Sequence, residues 1–112
     1  MKTGDIVLIP FPFAELTSVK VRPAVVICET KDKYKDLVVS AISSIVTKDL
    51  SENEILIRPG KENKLKADSM IKVDRIVTVK RDDLIAEPEL GKLEPKQVEL
   101  FKTKFKNLVN GK

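Results

Sequence analysis

Histidine and tryptophan are missing from these 112 residues, cysteine occurs once and glycine four times. Without histidine the commonest general base and most zinc sites are gone. Neither a Ser-His-Asp nor a Cys-His arrangement can be assembled. The lone Cys28 excludes an internal disulfide, and in its apolar surroundings it is expected to be a small buried hydrophobe. The glycines are scattered, so no phosphate-cradling loop is available. The carboxylates show no spacing suited to a metal, and no cofactor is expected. No apolar run approaches the ~18 residues that span a bilayer, and no leader-like segment opens the chain. A cytoplasmic protein with no membrane association is the expectation.

What is present points to a β-rich domain. With only five Phe or Tyr residues, the 42% hydrophobic content must build its core from Val, Ile and Leu, a composition that favours strands. The length suits one domain, residues 1–112. Net charge is +4, from 21 basic and 17 acidic residues, a moderate bias compatible with a polyanionic partner. Only four of the basic residues are arginine (Arg22, Arg58, Arg75 and Arg81), which marks these for assigned positions more than the many lysines.

The apolar pattern predicts strands over 5–11, 24–29, 37–42, 54–58, 69–73 and 76–79. The last two read equally well as one bent strand. Pro10 and Pro12 end the first strand or place it on an edge, and 14–21 is expected to be a loop that carries Lys20. From Glu94 the period changes. Pro95 suits a first helical position, and Val98, Phe101, Phe105 and Leu108 form one apolar stripe. Lys96, Lys102, Lys104 and Lys106 occupy the solvated side, and Asn110-Gly111 is a helix stop. A short helical turn begins near Arg81. Closely spaced strands followed by a helix suggest a small barrel or curled sheet.

The polar residues that remain for chemistry sit at strand ends. Arg22 opens the second strand, Ser43 and Ser44 close the third, and Lys72, Asp74 and Arg75 lie in or beside the fifth. Neighbouring strand ends of a curled sheet can converge on one mouth. An arginine, a hydroxyl and a lysine around a phosphodiester would stabilise charge building on phosphorus. RNA carries its own nucleophile in the 2′-hydroxyl, so the protein need not supply one. The general base stays open among Asp74, Lys72 and Arg22. Phe11 and Phe13 suit either base stacking or core packing.

Taken in order, several segments resemble the MazF/PemK family of type II toxin–antitoxin toxins. They are Gly4-Asp5-Ile6-Val7, the Pro-Phe pair after the first strand, Arg22-Pro23-Ala24-Val25-Val26-Ile27 and Ala41-Ile42-Ser43. Asp68-Ser69-Met70-Ile71, Ile76-Val77-Thr78-Val79 and Leu93-Glu94-Pro95 complete the pattern over nearly the whole chain. The resemblance implies a mainly β protein, an SH3-like β-barrel with a C-terminal helix, in a two-fold homodimer. It implies a metal-independent, sequence-specific endoribonuclease that cuts single-stranded messenger RNA, leaving 2′,3′-cyclic phosphate and 5′-hydroxyl ends. An antitoxin with a disordered acidic tail would cover the RNA groove. On this resemblance Arg22 is catalytic, as is Ser43 where the family commonly has threonine. By their own position and polarity Lys20, Ser44, Lys72, Asp74 and Arg75 are the candidates for binding RNA. Two rivals share the fold, a non-catalytic binding module and a toxin that targets DNA gyrase.

Overall fold

The period-two apolar runs pair into one six-stranded antiparallel sheet. The computed structural model describes residues 1–11, 20–84 and 90–111, the side chains of Phe11 and Lys20 excepted. The strands are β1 (Asp5–Phe11), β2 (Lys20–Glu29), β3 (Leu37–Ser43), β4 (Glu54–Ile57), β5 (Ser69–Val79) and β6 (Gly91–Lys92), in the spatial order β4-β5-β3-β2-β1-β6. A single turn of 3-10 helix, Arg81–Asp83, follows β5, and helix α1 (Pro95–Val109) closes the chain. The Lys92 N–H donates to the Glu62 carbonyl oxygen at 2.9 Å, so one edge of the sheet meets the turn beyond the other edge. This rolls the sheet toward the expected barrel, and the mainly β class with a C-terminal helix is borne out.

Both sheet faces are buried. Ile6, Val25, Ile42, Ile55, Ile57, Ile71, Val73, Leu93 and Phe101 form one core cluster, between the sheet and α1. Val7, Ile9, Ala24, Val26, Leu37, Val39 and Val79 form the other, on the opposite face. The helix contributes through its expected stripe: Phe101 is fully buried, with Val98 and Phe105 packed beside it. Burying such a ring stabilises by about 1.5–3 kcal/mol. Helix α1 starts where Pro95 stands at the first turn. The Glu94 N–H donates to Gln97 Oε1 at 3.0 Å, the reciprocal contact of a capping box. Gly4 adopts φ +97°, and a Cβ there would sit 2.7 Å from Val98 Cγ2, so α1 lies directly on that backbone.

Two bulges reset which side chains face which way. In β2 the register with β3 shifts between Val26 and Cys28, leaving Ile27 unpaired. Cys28 consequently pairs with Val38 and not with the face that holds Val26 and Val39, and it is exposed. The expectation that Cys28 is buried is therefore corrected. In β5, Lys72 pairs with Ala41 but the next ladder pair is Ile76 with Ser40. Three residues, Val73, Asp74 and Arg75, have no partner on β3. An odd insertion inverts side-chain parity. Ile71 and Val73 face the helix, while Val77 and Val79, also odd-numbered, face the other cluster.

Of the two readings open for 69–79, two short strands or one bent strand, the single strand is the one formed. Other corrections concern boundaries. Strand β2 starts at Lys20, so the backbone expected as loop at 20–21 is already paired, and Arg22 stands opposite Ile9. Strand β6 was not anticipated. Lys104 is not simply solvated: its ammonium donates to the Glu52 carbonyl oxygen at 2.6 Å.

Candidate functional site

Strands β2, β3 and β5 meet at one cleft of about 180 Å³, lined by Arg22, Ala41, Ile42, Ser43, Ile45, Lys72 and Arg75. Its construction follows from the ladder. Ala24 pairs with Ala41, Ala41 with Lys72, and Lys72 with Glu54, a row crossing four strands. Continuing the β2–β3 register two residues from Ala24 and Ala41 sets Arg22 opposite Ser43. Side chains directly across a ladder have Cβ atoms about 5 Å apart. The short side chain of Ala41, next along β3 on the same face, leaves room beside them in the cleft.

Ser43 is the last residue of β3, and its Oγ accepts the Ile45 N–H at 3.1 Å. This local turn fixes the hydroxyl oxygen and directs the chain so that Ile45, 69% exposed, stands over the cleft. The hydroxyl proton is still available to donate. Lys72 is half-buried, and its ammonium lies 3.9 Å from Glu54 Oε2. Glu54 is itself anchored, because its Oε1 accepts the Ser51 N–H at 2.8 Å. Arg75 reaches the same cleft from the β5 bulge.

The cleft therefore gathers Arg22, Ser43, Lys72 and Arg75 from the residues the sequence singled out. It does not gather all of them. Ser44, one residue past the end of β3, is exposed and lies outside the lining. Asp74 also lies outside the lining, with its Oδ2 accepting from Asn53 Nδ2 at 3.5 Å. The Lys20 side chain, the Phe11 ring and Phe13 lie outside the described residues. Ile45 was missed, although an apolar pair, Ile45-Val46, standing just past a strand end was the available signal.

Among the described residues three guanidinium or ammonium groups line the cleft and no carboxylate does, a lining whose electrostatics suit an anion. Arg22 and Arg75 each offer a planar fork of donors matched to phosphate oxygens. Among the described residues no group of three or more His, Cys, Asp or Glu is placed to hold a metal ion. A larger recess of about 420 Å³ lies beside α1, lined by Ile27, Phe101, Phe105 and Val109 among others. Its hydroxyl, from Thr3, is already donated to the Ile27 carbonyl oxygen at 2.6 Å, and it has no arginine. The smaller cleft is the one with convergent chemistry.

Comparison with known proteins bears on this geometry. The family described as PemK-like, MazF-like toxin of type II toxin–antitoxin system matches residues 2–109. Among solved structures, an endoribonuclease in complex with its cognate antitoxin, from Mycobacterial species, superposes with a TM-score of 0.70. That match covers 98% of this chain and 95% of the other at 15% identity, a likeness of fold. No curated protein matches the sequence.

Proposed function

Because the chain belongs to the PemK-like, MazF-like toxins of type II toxin–antitoxin systems, we propose that it is a metal-independent endoribonuclease acting on single-stranded RNA at the cleft of Arg22 and Ser43. The observation that supports this reading is the convergence of Arg22, Ser43, Lys72 and Arg75 on one recess. Arg22 holds the scissile phosphate through its fork, and the Ser43 hydroxyl donates to a second phosphoryl oxygen. Lys72 and Arg75 bind flanking phosphates, while Ile45 offers an apolar surface to a base.

In the reaction the substrate's 2′-oxygen attacks phosphorus and the P–O5′ bond breaks. The 2′-hydroxyl proton passes to water, and the leaving 5′-oxygen takes up a proton. The products are a 2′,3′-cyclic phosphate and a 5′-hydroxyl. With Arg22, Lys72 and Arg75 in the lining, the protein's part is stabilisation of the negative charge that develops on the phosphoryl oxygens. The same cations fit the acidic tail of an antitoxin, which would silence the enzyme by occupying the cleft. A homodimer is the proposed assembly, testable by light scattering.

The test is incubation of the purified protein with a long transcript in EDTA, with chemical analysis of the cut ends. Wild type is expected to leave cyclic phosphates, and Arg22→Ala to cut about 10²–10³-fold more slowly. Undiminished cleavage by a folded Arg22→Ala protein would refute the assignment. Binding without any cleavage by wild type would point to a non-catalytic binder.

A further inference from the structure

Lys72 and Arg75 are three residues apart on one strand, yet both line the cleft. On a regular strand that spacing sends them to opposite faces. What brings them together is the bulge of β5 between the pairs Ala41–Lys72 and Ser40–Ile76. The conformation of that bulge is fixed at Val73. Its side chain is fully buried in the core against α1. Its N–H donates to the Asn53 carbonyl oxygen at 2.8 Å. Its carbonyl oxygen accepts the Ser40 hydroxyl at 3.0 Å, in a bond that is buried. From the solvent side, Asn53 Nδ2 reaches Asp74 Oδ2 at 3.5 Å.

Ser40 is a polar residue in the middle of an apolar strand, with none of its surface exposed. A buried hydroxyl is tolerated where it has a partner, and this one's partner is the carbonyl of Val73, the first of the three bulge residues that end in Arg75. We propose that Ser40 is a positioning residue for RNA binding: by holding the Val73 carbonyl it keeps the β5 bulge in the form that turns Arg75 into the cleft beside Lys72. Asn53 braces the same bulge from outside. The proposal rests on the RNA-cleaving reading above, and Ser40 itself touches no substrate.

The experiment measures binding of a mixed-sequence 2′-O-methyl RNA oligonucleotide pool, which lacks the attacking hydroxyl, across a range of salt concentrations. Each phosphate contact on a single strand contributes about 0.7 to the slope of log affinity against log salt. Arg75→Ala is expected to flatten the slope by about that amount. Ser40→Ala is expected to flatten it equally, and the double variant no further, so that the two affinity losses do not multiply. Ser40→Thr, which keeps the hydroxyl, is expected to retain the wild-type slope. Asn53→Ala, which removes no buried group, is expected to flatten it in the same direction and serves if Ser40→Ala does not fold. A purely structural serine would lower stability and leave the slope alone. A wild-type slope in Ser40→Ala, or in Asn53→Ala where Ser40→Ala is unfolded, overturns the proposal, as does a wild-type slope in Arg75→Ala, while leaving RNA cleavage at Arg22 standing. Absence of salt-dependent binding by the wild-type protein overturns the RNA reading and this inference together.

Discussion

Gly91→Ala separates the scaffold from the cleft in a single substitution. Gly91 opens β6, and a Cβ at this position would sit 2.5 Å from the Glu62 carbonyl oxygen and 2.6 Å from that of Asn63. Both obstacles are backbone, so no side chain can swing aside. Relief requires β6 to move off the 60–63 turn, and that movement strains the 2.9 Å bond from the Lys92 N–H to Glu62. It also disturbs Leu90 N–H to Ile6 at 2.7 Å and Leu93 N–H to Gly4 at 2.9 Å, which lead the chain into α1. Overpacking against a fixed wall costs about 1–3 kcal/mol, and a lost hydrogen bond adds about 1 kcal/mol. A loss of about 2–4 kcal/mol is expected, out of a total near 6–17 kcal/mol for a chain of this size. At about 4 °C per kcal/mol, Tm should fall by about 8–16 °C. Because tryptophan is absent, urea unfolding is best followed by far-ultraviolet circular dichroism. Gly60→Ala is the matched control in the same turn: its Cβ meets only Asn63 Nδ2, at an ordinary 3.6 Å, and stability should hold. RNA cleavage by the folded Gly91→Ala fraction should match wild type, since no β6 residue lines the cleft. A Gly91→Ala protein within about 0.5 kcal/mol of wild type would show that the edge is not held as argued.

Ser43→Ala removes the acceptor for the Ile45 N–H together with the hydroxyl donor, and should slow cleavage about 10²-fold, whereas Ser43→Thr keeps both and should restore most of the rate. A single-turnover assay that finds Ser43→Ala fully active removes Ser43 from the mechanism. Glu54→Gln abolishes the negative charge 3.9 Å from Lys72. Its effect on stability should stay below about 1 kcal/mol, as for a partly exposed pair. RNA association should become faster at low salt, with the gain shrinking as salt rises; an unchanged rate at low salt counts against Lys72 as a phosphate contact. The Thr30 hydroxyl donates to Asp32 Oδ1 at 2.8 Å, and this bond, with the Tyr34 N–H, holds the Asp32 carboxyl below its ordinary range. A depressed carboxylate stabilises the fold above its unfolded pKa and loses that contribution as pH falls through the folded value. The stability difference between wild type and Asp32→Asn should therefore narrow on acidification, and a difference constant with pH would remove Asp32 from the linkage.

Local signals carried the sequence reading a long way, and it failed where a distant partner decides the outcome. The helix was legible because its determinants lie within a few residues of each other: Pro95, the Glu94–Gln97 contact, the Phe101 stripe and the Asn110-Gly111 stop. Strands β1, β3 and β4 were legible for the same reason. Strand β6 was not, because two residues, Gly91 and Lys92, carry no period; only the carbonyl groups of the 60–63 turn and of β1 give them their place. Two further errors share one cause. Cys28 was expected inside because its surroundings are apolar; regular alternation from Ala24 and Val26 would put it there too, and the unpaired Ile27 reverses that parity. The sequence grouped Asp74 with Lys72 and Arg75, although alternation alone would set Lys72 and Asp74 together and Arg75 apart. The β5 bulge does the reverse, admitting Arg75 and excluding Asp74. Nothing between Ser69 and Val79 announces that bulge. The groups that bond to it are a serine hydroxyl on β3 and a carbonyl in the turn before β4, 33 and 20 positions away from Val73. A cleft assembled at strand ends thus owes its charge to register, and the bulge that sets register here is bonded to groups that never reach the cleft.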